Sequence, residues 1–90
     1  MREAVIEAYL RKRVKEKGGV HRKVVYQGRT GSPDDWCFFP DGRLLIVECK
    51  APGKRPDQHQ ELEIALLQSM GFEASWVSSK EDVDKLLEKI

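Results

Sequence analysis

Residues 34–50 constrain this chain more than any other stretch, because two apolar runs, Trp36 to Phe39 and Leu44 to Val47, are joined by Pro40-Asp41-Gly42. Pro40 suits the first central position of a type I turn, and Gly42 suits the left-handed position that follows. A tighter Asp41-Gly42 turn would ask Pro40 for a ladder hydrogen bond that its nitrogen cannot donate. The three-residue loop therefore sets the register. Phe39 faces Arg43, Phe38 faces Leu44, Trp36 faces Ile46 and Asp34 faces Glu48. Opposed residues share a sheet face, and side chains alternate along each strand. Asp34, Glu48 and Lys50 thus converge on one patch, while Asp35 points to the other face. Two facing carboxylates repel unless a cation sits between them.

The rest of the chain supplies elements to pack around this hairpin. Residues 2–17 read as a helix with an apolar stripe of Val5, Ile6, Tyr9, Leu10 and Val14, stopped by Gly18-Gly19. Glu3 and Glu7 lie at the edge of that stripe. Near a helix N-terminus they are also explained as solvated acids favoured by the dipole. Residues 20–26 read as a strand whose His21, Arg22 and Lys23 form a basic rim, followed by a polar loop carrying Arg29. Strands at 34–39 and 43–50 make the hairpin, and a Pro-Gly loop with Lys54 and Arg55 follows. A helix over 57–70 holds Leu62, Leu66 and Met70 on one line, with Ile64 and Leu67 beside it. A strand at 73–77 and a helix capped by Ser78 or Ser79 complete the order αβββαβα. A hairpin-containing sheet with helices against it is an α/β or α+β architecture.

Ninety residues make one domain with one core, a size at which dimerisation aids stability. The net charge of +1 gives no vote for nucleic acid, but residues 10–29 are heavily basic. No stretch is long or apolar enough to be a signal peptide or a membrane span. Without a secretory segment, Cys37 and Cys49 read as reduced, buried residues of a cytoplasmic protein.

The converging acids suggest a chemistry. A hard divalent cation such as magnesium takes oxygen ligands and keeps several waters. Asp34 and Glu48 offer two carboxylates, the Cys49 carbonyl offers a third oxygen, and a glutamate of the first helix could join directly or through water. Lys50 could orient or deprotonate a water, or stabilise charge on a phosphate. These parts suit metal-assisted hydrolysis of a phosphodiester. The competing reading is a cross-strand acid pair relieved by Lys50. Gln60 also has two readings: with Asp57 it forms a capping box, or it points back toward the strand end that carries Lys50. His21 and His59 lack metal-ligand spacing and read as rim residues. Trp36 and Phe38 read as core.

Gly31-Ser-Pro-Asp34, the turn, Glu48-Cys-Lys50, the Lys50-Ala-Pro-Gly53 loop and Gln60 together resemble the PD-(D/E)xK nuclease superfamily. More closely they resemble its VRR-NUC branch, the virus-type replication-repair nucleases. The resemblance spans nearly the whole chain and implies a restriction-endonuclease-like core of αβββαβ order with a C-terminal helix. It implies metal ligation by Asp34 and Glu48, a catalytic Lys50, an active-site Gln60 and a helix-one acid, for which Glu7 fits better than Glu3. The expected cofactor is Mg2+ or Mn2+. Stand-alone members of this size resemble Holliday-junction resolvases, often from phage, so the implied working form is a homodimer acting on branched DNA. Arg22, Lys23, Arg29, Lys54 and Arg55 are the expected phosphate contacts. A non-catalytic DNA-binding module, or a nuclease with a different nucleic-acid substrate, is the alternative. With no zinc finger or helix-turn-helix in the chain, recognition by shape and phosphate contacts is expected.

Overall fold

The Pro40-Asp41-Gly42 loop closes as its residues require. A computed structural model describes residues 2–90. In it the Phe39 N–H donates to the Arg43 carbonyl at 2.9 Å and the Gly42 N–H donates to the Phe39 carbonyl at 3.0 Å. Gly42 takes φ 84°, a left-handed backbone that costs glycine little. The strands on either side, β2 (Asp35–Phe38) and β3 (Leu44–Cys49), pair antiparallel with Trp36 opposite Ile46 and Phe38 opposite Leu44. The register read from the turn is the observed one.

Two further strands complete the sheet. β1 (Val20–Lys23) pairs antiparallel with β2, and β4 (Glu73–Val77) pairs parallel with β3, giving the order β1-β2-β3-β4. A parallel neighbour needs a crossover, and helix α2 (Gln58–Ser69) provides it on one face. Helices α1 (Glu3–Glu16) and α3 (Lys80–Leu87) cover the other face. Ile6, Leu10 and Val14 of α1 and Val83 and Leu87 of α3 bury against Cys37, Leu45, Val47, Cys49 and Val77. Under α2 a smaller cluster joins Ile46, Ile64 and Ala74 to Trp36, Leu67 and Trp76. The order is αβββαβα and the fold is α/β. Among the described residues, no helix is long and apolar enough to cross a membrane.

Several expectations shift in detail. β1 stops at Lys23 rather than running to Tyr26, because the chain leaves the sheet there: Val25 is exposed, and Tyr26 turns its ring edge-on to Trp36. One bond continues past the strand, from the Val24 N–H to the Asp34 carbonyl at 2.8 Å. Ser79 caps α3, accepting from the Asp82 N–H. The apolar residues of α2 do not all turn inward. Ile64 and Glu63 are buried, while Leu62, Leu66 and Met70 are 61%, 45% and 59% exposed. A sheet covers a narrow strip of a helix, and α2 is seated by Ile64 and Leu67 above the sheet and by Glu63 against Arg29. Val5 and Phe38 are likewise exposed.

Gly19, between α1 and β1, is required by close approach. A Cβ there would lie 2.7 Å from the Phe38 carbonyl oxygen and 2.8–2.9 Å from the Phe39 ring. The backbone oxygen cannot move without disturbing the hairpin. Gly19→Ala is expected to cost about 1–3 kcal/mol, read as a lower midpoint in urea unfolding.

Candidate active site at the open end of the hairpin

The hairpin carries its acids at the end away from the turn. Glu48 is the penultimate residue of β3 and only 8% exposed. Lys50 Nζ lies 3.5 Å from its Oε2, and Gln60 Nε2 donates to the same oxygen at 3.3 Å. Burial pushes the Glu48 carboxyl up to about 7; Lys50 opposes the rise and the negative charge of Asp34 adds to it. Asp34 precedes β2 on the Glu48 side of the sheet, since its neighbour Asp35 pairs with Val47 and turns inward. The two adjacent acids are therefore divided between the faces, as the turn register implies.

Gln60 fulfils both of its readings. Its Oε1 accepts from the Asp57 N–H at 2.9 Å while its own N–H donates to Asp57 Oδ1, completing the capping box. Its amide nitrogen remains free to reach Glu48. Capping fixes the amide orientation, so the helix start aims a donor at the acid. Gln60→Ala is expected to lower stability by about 1 kcal/mol and to slow cleavage less than loss of Glu48 does, as followed by melting and single-turnover assay.

A second group of charges lies beside the first. Lys23, at the end of β1, is held by Glu7 of α1, lies 3.2 Å from Asp34 Oδ1 and 3.5 Å from Asp35 Oδ1. Burial works to raise the Glu7 carboxyl, but the Lys23 hydrogen bond and charge prevail and it is lowered. Glu3 is exposed, and its negative charge adds slightly to the rise at Glu48. Asp35 is 1% exposed, and one of its oxygens lies 2.8 Å from His21 Nε2 in a hydrogen bond. Burial pushes Asp35 up to about 6 against that bond. Its other oxygen has no hydrogen-bond partner among the described residues. His21 is thus not a rim residue: its side chain is 6% exposed, beneath α1. The pair follows from the alignment of Val20–Lys23 with Asp35–Phe38, which sets His21 opposite Cys37 and Lys23 opposite Asp35 and which no turn chemistry in the intervening loop announces.

The expected phosphate contacts are dispersed around the rim. Arg29 is clamped by Glu63 at 2.8 and 3.1 Å, and Arg55 meets Glu61 and stacks over Trp76. Arg22 donates to the His21 carbonyl, Lys54 is exposed on its loop, and Lys23 belongs to the acid group. The thiols of Cys37 and Cys49 are free and buried, and burial pushes both up. With its thiol in the core, Cys49 has only its backbone to offer a metal.

Among the described residues, no three His, Cys, Asp or Glu side chains converge as a ready cage for a metal ion. Magnesium does not need one; it is commonly held by one or two carboxylates and keeps its waters. The donors here are oxygen atoms, and Glu48 is a buried carboxyl whose charged form lacks full compensation. The residues fit a hard divalent ion.

No family model matches the chain. It is 38% identical over 81 residues to "Putative nuclease p44" of Acyrthosiphon pisum secondary endosymbiont phage 1, covering 90% of this chain and 87% of that protein. A solved structure described as "VRR_NUC domain" superimposes with a TM-score of 0.89 at 36% identity, covering 96% of this chain and 94% of the other. Both likenesses run along almost the full length of each protein, and the chain belongs to the VRR-NUC family of nucleases.

Proposed function

We propose that this nuclease is a divalent-metal-dependent, structure-selective DNA endonuclease, acting on four-way (Holliday) junctions or other branched DNA. The observation that carries the reading is Glu48: a buried carboxyl at a strand end, contacted by Lys50 and Gln60, with Asp34 on its side of the sheet. Asp34 and Glu48 would hold Mg2+ or Mn2+, with the Cys49 carbonyl as a further oxygen and Glu7 joining directly or through water. When bound, the ion supplies Lewis-acid polarisation of a phosphoryl oxygen and eases ionisation of water. Lys50 is the charge placed to hold a water or phosphate oxygen, its ammonium anchored by Glu48. Gln60 keeps the Glu48 carboxylate in one orientation. The exposed cations Arg22, Lys54 and Arg55, with Arg29 released from Glu63, provide backbone contacts that carry no base information.

Cutting both strands of a junction calls for two sites, and the working form is a homodimer. The exposed row of Leu62, Leu66 and Met70 supports this. Residues 64–72, which include Leu66 and Met70, carry no charge in a chain that is 34% charged, so at that end of the row a copy meets no like charge. Sedimentation across a concentration series should show a dimer.

The deciding experiment offers junctions, flaps and linear duplexes to the purified protein with Mg2+, with Mn2+ and with EDTA. Cleavage of branched substrates, lost in EDTA, is the expected result. Binding without cleavage of any substrate in either metal would identify a non-catalytic DNA-binding module. Cleavage of linear duplex as fast as of junctions would overturn the substrate class.

A further inference from the structure

The ammonium of Lys23 stands among Glu7, Asp34 and Asp35, and two of these are the acids assigned above to the metal site. We propose that Lys23 is a tethered internal cation that occupies the space between Glu7 and Asp34 in the metal-free protein, and that a divalent ion must displace it before both acids can bind the ion. This rests on the metal-dependent reading of the site. Lys23 extends from the last residue of β1, directly across the ladder from Asp35, so the sheet itself delivers the charge to this point. Its side chain is about half exposed, which leaves it a path outward, whereas Glu7 is largely covered. Burial disfavours the ammonium, but its hydrogen bond to Glu7 and the charges of Asp35 and Asp34 outweigh this, and Lys23 is held firmly protonated. One positive charge among three carboxylates leaves the group electronegative even with His21 on Asp35. A divalent ion therefore has reason to enter, and Lys23 has a cost to leave. The arrangement keeps strand ends and α1 together when no metal is bound, and it sets metal affinity lower than the acids alone would give.

The test compares wild type and Lys23→Met. In calorimetric titration with Mn2+, Lys23→Met is expected to bind about tenfold more tightly, since a competing charge is gone. In EDTA its melting temperature should be lower than wild type, and the rise on adding Mn2+ should be larger. Removing a positive charge strengthens cation binding at a distance too, so displacement itself is read on the wild type. The 15Nζ resonance of Lys23, assigned by its loss in the variant or by Lys23→Arg if Lys23→Met does not fold, should move to the position of solvated lysines as Mg2+ saturates the protein. A resonance unchanged at saturating Mg2+, or a folded Lys23→Met that binds Mn2+ no more tightly, would overturn the displacement while leaving the metal-dependent reading in place. Absence of Mn2+ binding in both proteins would instead remove the reading on which it rests.

Discussion

Glu48→Ala should fold and bind DNA yet lose cleavage by at least about a thousandfold, and Asp34→Ala should do the same. Each change removes a carboxylate proposed to hold the ion, and leaves a surface with less negative charge facing phosphates, so affinity for DNA holds or rises. The assay is single-turnover cleavage of a four-way junction in Mg2+ or Mn2+, with folding checked by thermal melting. A folded Glu48→Ala protein of full activity would remove Glu48 from the site.

Glu48 should also write itself into the pH dependence of stability. Burial raises its carboxyl from 4.5 to about 7 in the folded chain, so between those values the native state holds more protons than the unfolded state. Stability of the metal-free protein is then full below the unfolded value and declines as pH rises through about 7, by up to roughly 3 kcal/mol. Metal affinity runs the other way, rising with pH as the carboxylate ionises. Melting in EDTA should show this slope in wild type and its loss in Glu48→Gln. Equal slopes in the two proteins would mean that Glu48 is not perturbed.

The second large effect is expected from His21→Ala. Asp35 would keep its buried position and lose the bond to His21 that favours its charge, while its other oxygen already lacks a partner among the described residues. Breaking a buried pair from one side costs on the order of 3–5 kcal/mol, lessened here by Lys23 at 3.5 Å and by protonation of Asp35. Asp35 is already pushed up to about 6 by burial, so the loss should be greater at pH 8 than at pH 5. Restoring part of the loss with His21→Ala/Asp35→Asn would tie the effect to the uncompensated carboxylate, whereas additive losses would point to packing alone. Cleavage should weaken as well, because Asp35 anchors the backbone from which Asp34 projects.

The centre of this protein is legible in the order of its residues, and the reason is locality. Pro40 and Gly42 admit one three-residue loop, that loop sets the β2–β3 register, and the register divides Asp34 from Asp35 and lines up Asp34 with Glu48. The Asp57–Gln60 box is likewise a contact between residues three apart, and so is the cap of α3, for which Ser78 and Ser79 both qualified and Ser79 serves. Tertiary structure decided what depends on residues distant in the chain. Residues 24–34, joining β1 to β2, have no turn chemistry that sets an alignment, so His21 beside Asp35 and Lys23 among the acids follow from the folded sheet. Apolar residues lie on more than one side of α2, and periodicity alone could not say which would meet the sheet. Packing of Ile64 and Leu67, and the reach of Gln60 to Glu48 and Glu63 to Arg29, turned Leu62, Leu66 and Met70 outward. Short-range geometry is set by a few dihedral angles, whereas the facing of a helix and the pairing of distant strands are set by which of several apolar surfaces buries most completely with its charges matched.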